Sequence, residues 1–146
     1  MTALEPTAMD IAIRQLVADA LASYPTGSAA LVYAWSDEAR MWFTEVTPMN
    51  PDAAPLSIAF DGADLLSVTV GDTWFEIFPV ATPGELDHVR EVVAAVFAGQ
   101  IEESGMRGKE FARITLKSGP ISVGAVHMPW PWSGRKARRY QPYAGE

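Results

Sequence analysis

Between Ala29 and Phe78 the chain breaks into five short β-prone runs, and none of the connections between them is long enough to hold a crossover helix. Parallel neighbours need a dozen or more connecting residues, so these short connections fit antiparallel pairing better than crossover units. Ala29–Trp35 and Arg40–Val46 flank the polar Ser36-Asp37-Glu38-Ala39 and read as a hairpin. Thr47–Pro55 holds three prolines and reads as a loop that cannot join a central ladder. Leu56, Ile58 and Phe60 alternate with small residues, as do Leu66, Val68 and Val70, with Asp61-Gly62-Ala63-Asp64 as the turn between them. Gly71-Asp72 has the glycine-first pattern of a two-residue hairpin and leads into Trp74–Phe78.

Helical signals bracket this block. Thr7 with Asp10 three residues on forms a capping box, and Met9, Ile13, Leu16, Val17, Ala20, Leu21 and Tyr24 recur at helical spacing before Pro25 stops the run. Thr82-Pro83-Gly84-Glu85 opens a second helix with Leu86, Val89, Val93, Val96 and Phe97 on its inner face and Gly99 as its stop. Glu102–Gly108 reads as a polar connection, and two more strands follow, Glu110–Lys117 and Ile121–Met128. The expectation is an α+β fold: a mostly antiparallel sheet of about seven strands and two main helices, in the order α-βββββ-α-ββ. Residues 1–128 form one domain in this reading, and 129–146 form a tail rich in Pro, Trp, Arg and Tyr that docks on the domain or stays partly disordered.

Composition removes several functions. The 146 residues include no cysteine, which excludes disulfides, thiolate zinc sites and cysteine nucleophiles together. With only His88 and His127 and no HExxH spacing, no metal and no cofactor is expected. Asp61, Asp64 and Asp72 lack the EF-hand ladder and are explained by turn chemistry. There is no G-x-S-x-G elbow, no GxGxxG and no P-loop, so no catalytic residue is assigned. Glu45 and Glu76 lie in strands, and alternation places them on the wet side of the sheet rather than in a cavity. The N-terminus carries early acids and no basic segment ahead of an apolar stretch, and no apolar run approaches the ~20 residues of a membrane span. A cytoplasmic protein without membrane contact is expected.

The net charge of −7 hides a division along the chain. Residues 1–103 hold sixteen acids and three bases, a balance of −13, whereas residues 104–146 hold two acids and eight bases, a balance of +6. An acidic body repels nucleic acid and attracts basic partners. The leading expectation is therefore a non-enzymatic protein-binding module, an adaptor or immunity-type inhibitor, that meets a basic partner through Asp37, Glu38, Asp61 and Asp64 with Trp35, Trp42 and Trp74 as apolar anchors. One alternative is a small-molecule binder or enzyme with a pocket between sheet and helix. Another is nucleic-acid association through the tail, where Arg135, Lys136, Arg138, Arg139 and Tyr140 would combine phosphate contacts with stacking. An uncovered sheet edge is also open to pairing with a second copy, giving a homo-oligomer.

Overall fold

Thr7 donates its backbone amide to the Asp10 carboxylate at 2.8 Å while its Oγ1 accepts from the Asp10 amide at 3.1 Å, and this reciprocal pair opens helix α1, Ala8–Leu21. The computed structural model describes residues 3–106, 109–124 and 138–144. After α1 come β1 (Ala29–Ser36), β2 (Met41–Pro48), β3 (Leu56–Phe60), β4 (Leu66–Val70) and β5 (Thr73–Ile77). These five strands form an antiparallel meander in sequence order. Val70 pairs with Thr73 across Gly71-Asp72, and of those two residues only Gly71 has a positive φ, 60°. The pleat sorts the residues by face. Leu56, Ile58, Leu66, Val68, Val70 and Phe75 are buried against the helices, while Glu45, Trp74 and Glu76 face solvent.

The second helix begins differently from its sequence signal. The Glu85 carboxylate accepts from the amides of Ala81 and Thr82, both at 3.0 Å, but the box opens a single 3-10 turn, Pro83–Glu85, and the α-helix α2 runs from Asp87 to Phe97. Its buried side chains include Val89, Val92, Val93, Val96 and Phe97, which join Ile13, Leu16 and Val17 of α1 in one continuous core. An Asp87–Arg90 pair at 2.9 Å decorates its solvent face, where such pairs contribute little.

The order α-βββββ-α-ββ is present, and the described residues form nine strands in two sheets rather than about seven in one. Residues 102–106, read from the sequence as part of the polar connection Glu102–Gly108, belong to β6 (Ile101–Met106). It pairs antiparallel with β7 (Lys109–Leu116), which pairs with β8 (Gly119–Gly124); on its other side β6 takes the two-residue β9 (Arg138–Arg139). The second sheet thus has the order β8-β7-β6-β9. Ala112, Ile114 and Leu116 of β7 face the core and pack on α2, and β5 lies against β7 and β8. Residues 125–128 of the expected last strand lie outside the described residues.

Residues 138–144 thread back through the molecule. The amide of Tyr140 donates to the Ile101 carbonyl at 3.2 Å, that of Gln141 to Asp52 at 2.8 Å and that of Tyr143 to Phe97 at 2.9 Å. Gly99, with φ 74°, stops α2 and also makes room: a Cβ there would stand 2.5 Å from the backbone nitrogen of Pro142. No described helix is long and apolar enough to cross a membrane.

Candidate partner-binding surface

The residues singled out from the sequence as partner-binding divide into three places. Trp35, Asp37, Glu38 and Trp42 come together at the β1–β2 hairpin. Trp35 pairs with Trp42 across the two strands, their rings 5.7 Å apart at 63°. The Trp35 indole N–H donates to Asp37 Oδ1 at 2.7 Å, so the acid that begins the turn also fixes the ring behind it. The turn is closed by the Arg40 amide, which donates to the Ser36 carbonyl at 2.7 Å, and by the Ala39 amide, which donates to Ser36 Oγ at 3.0 Å. Arg40 adopts a left-handed φ of 54° and lays its guanidinium 5.9 Å from the Trp35 ring. Asp37, Glu38 and Arg40 are exposed, whereas both tryptophans are half-buried.

Behind them lies a cation–aromatic stack. Arg14, projecting from α1, sits 4.5 Å from the Tyr33 ring centre and 4.9 Å from that of Trp42, and the Trp42 indole N–H donates to the Leu4 carbonyl at 2.7 Å. The pair of tryptophans is therefore held from the strands, the helix and the N-terminal segment at once, and the hairpin tip stands on a rigid base.

Asp61 and Asp64 occupy the β3–β4 turn. Because β2 and β3 run antiparallel with Phe43 opposite Ala59, this turn and the hairpin tip sit at the same end of the sheet. Asp61 Oδ1 accepts from the amides of Ala63 at 2.8 Å, Asp64 at 3.1 Å and Leu65 at 3.2 Å. The Ala63 bond, helped by those from Leu65 and Asp64, holds the Asp61 carboxyl below the usual carboxylate range, so its charge persists. Its folded pKa is depressed, so its contribution is present above the unfolded value near ~4 and is lost as pH falls through the folded one. Asp61→Ala is expected to cost about 1 kcal/mol or less, because the site is exposed. A thermal midpoint that falls at neutral pH, by a difference that narrows in acid, checks it.

Trp74 stands apart. It is 57 % exposed on the outer face of β5, in a row with Thr69, Ser57, Glu45 and Val32, near the opposite end of the sheet from the acidic turns. Glu45 and Glu76 are exposed on this outer face, as alternation predicts. His88 is exposed on α2, and His127 lies outside the described residues.

Of the basic tail, Arg135 and Lys136 lie outside the described residues. Arg138 and Arg139 are exposed on β9, where Arg139 pairs with Glu102 at 2.9 Å and Arg138 covers the Tyr140 ring at 4.6 Å. Tyr140 itself is 5 % exposed, and its hydroxyl donates to Glu103. A ring so enclosed offers no face for a base to stack on.

Glu103 is the polar residue that sequence reasoning overlooked. It is buried, and its carboxylate accepts from the Asp72 amide at 2.8 Å, the Thr73 hydroxyl at 2.5 Å and the Tyr140 hydroxyl. The only local signal is that Ile101 and Glu103 share a strand face. Three donors from the β4–β5 turn and the tail converge on this one acid, which makes it a clamp between segments. Among the described residues no group of three His, Cys, Asp or Glu side chains is placed to hold a metal ion. Comparison with protein-family models, with curated proteins and with solved structures finds no match to this chain.

Proposed function

We propose that the chain is a non-enzymatic protein-binding module that receives a basic partner at the end of the five-stranded sheet formed by the β1–β2 hairpin and the β3–β4 turn. The observation that carries this reading is the placement of Asp37 and Glu38, exposed on a turn whose base is the locked Trp35–Trp42 pair, at the same end as the persistently ionised Asp61. Four carboxylates, Asp37, Glu38, Asp61 and Asp64, outweigh the Arg40 guanidinium at this end, and such an excess of negative charge steers a basic partner and speeds its association. The half-buried Trp35–Trp42 pair at the base of the hairpin is the apolar part of the same end, and aromatic anchors of this kind carry much of an interface's energy. The body's −13 balance over residues 1–103 reinforces the sign. An adaptor and an inhibitor of a basic protein use such a surface in the same way.

Glu38→Lys with Asp64→Lys tests the reading without removing the Trp35–Asp37 bond or the Asp61 turn. Proteins captured from the source cell's lysate by the wild-type chain at low salt should include basic species that the double variant loses, with an association rate for the purified partner about tenfold or more lower. Raising salt should weaken the wild-type complex and leave the variant's residual binding nearly unchanged. Equal capture by both forms at every salt concentration rejects the proposal.

A further inference from the structure

Four strand edges bound the two sheets, and three of them are blunted. β5 lies against β7 and β8, β8 carries Pro120, and β9 is two residues long and consists of two arginines. Short length, charge, proline and cover are the devices by which proteins stop edges from pairing. Among the described residues the fourth edge, β1, has none of them. Its sequence AALVYAWS runs eight residues without charge, proline or bulge and pairs in full register with β2, from Ala29 opposite Pro48 to Ser36 opposite Met41. On its other side it pairs with no strand among the described residues.

We infer that β1 pairs antiparallel with β1 of a second copy, joining two five-stranded sheets about a two-fold axis at Val32. The register follows from geometry. The carbonyls of Ser28 and Ser36 accept from Met49 and Arg40, so even-numbered residues of β1 direct their hydrogen-bonding groups toward β2 and odd-numbered ones outward. Residues opposite each other must share a sheet face, so the two positions in a pair are both odd or both even. Centring on Val32 sets Leu31 opposite Tyr33 of the second copy and Ala29 opposite Trp35. With their symmetry mates these exchange about eight hydrogen bonds, against about six when the axis is centred on Tyr33. On the outer face Val32, 51 % exposed, meets Val32 of the second copy, flanked by Ala30 opposite Ala34.

Charge permits a second copy at this edge. A molecule of net charge −7 repels its like, but β1 itself carries no acid, so pairing it with its own copy sets no acid of the strand against another. In the Val32 register Asp37 falls opposite Gly27 and Glu38 opposite Thr26, and the hairpin tips point away from each other. An interface made of one strand pair and few side chains gives a weak, reversible dimer.

Sedimentation velocity of the full chain from ~5 to ~500 μM should show the 15.8 kDa species giving way to one of twice the mass. Amide exchange at Leu31 and Tyr33 should slow as concentration rises, while the Val32 amide, already directed at β2, keeps its rate. Val32→Lys places two ammonium groups face to face across the axis, at an exposed position whose β2 neighbour is Glu45, and should weaken the dimer by about tenfold or more. An equal mixture of Val32→Lys and Val32→Glu should restore it as a heterodimer. A wild-type chain that stays monomeric throughout, amide protection independent of concentration, or a Val32→Lys dimer as tight as wild type overturns the inference.

Discussion

Replacing Tyr143 with alanine is expected to cost about 3–5 kcal/mol, a large share of the ~5–15 kcal/mol that holds an ordinary domain together. Tyr143 is 3 % exposed and enters the core from the last described turn of the chain. Its ring lies 4.5 Å from Phe97 at the end of α2 and 6.4 Å from Tyr24, and its hydroxyl donates to the Ala54 carbonyl at 2.5 Å. One side chain thus connects the end of the second helix, the segment after the first and the proline-rich loop. Truncation to alanine forfeits ring burial, leaves a cavity between two aromatic rings and strips the Ala54 carbonyl of its donor. Tyr143→Phe, which keeps the ring, is expected to lose only about 1 kcal/mol. Urea unfolding followed by tryptophan fluorescence separates the two, and a midpoint for Tyr143→Ala within error of wild type shows that the tail does not close the core.

The parts of this fold that were legible in the sequence are those decided within a few residues. Thr7 finds Asp10 three positions away, Val70 and Thr73 are joined by a glycine-first turn, and the alternation in Leu66–Val70 needs no knowledge of the rest of the chain. Strand β6 was hidden because its Glu102-Glu103-Ser104 looks solvated. What buries Glu103 is Thr73, thirty positions before it, and Tyr140, thirty-seven after, and no local pattern announces partners so distant. β9 is two arginines long, and composition alone left a docked, a partly disordered and a nucleic-acid-binding end all open; the bonds of Gln141 and Tyr143 into the body depend on partners far away in the chain. Of the candidate surface, the hairpin and its tryptophan pair followed from strand pairing. The separation of Trp74 from them followed only once register assigned it to the other sheet face.

Raising pH above 10 is expected to unfold the protein more steeply than ordinary surface tyrosines would allow. Burial pushes the Tyr140 phenol up, and the Glu103 carboxylate that its hydroxyl binds pushes it further; burial likewise raises Tyr143, with a smaller push from Tyr24. In the unfolded chain both phenols ionise near ~10, while in the folded protein they keep their protons. The folded state therefore binds more protons, and stability falls as pH rises through the unfolded value toward the folded ones. The contribution is fully present below pH ~10 and is lost above it, at up to about 1.4 kcal/mol per pH unit for each phenol. Ionised Tyr140 would also set a phenolate against Oε1 of the buried Glu103 carboxylate, while the Asp72 amide and the Thr73 hydroxyl donate to its other oxygen. Urea midpoints measured at pH 9, 10 and 11 should decline progressively, and Tyr140→Phe should flatten that decline while lowering stability at neutral pH by about 1–3 kcal/mol. Wild-type midpoints that stay level to pH 11 would mean that the tail tyrosines reach solvent freely, and that the clamp of Glu103 on Tyr140 does not hold.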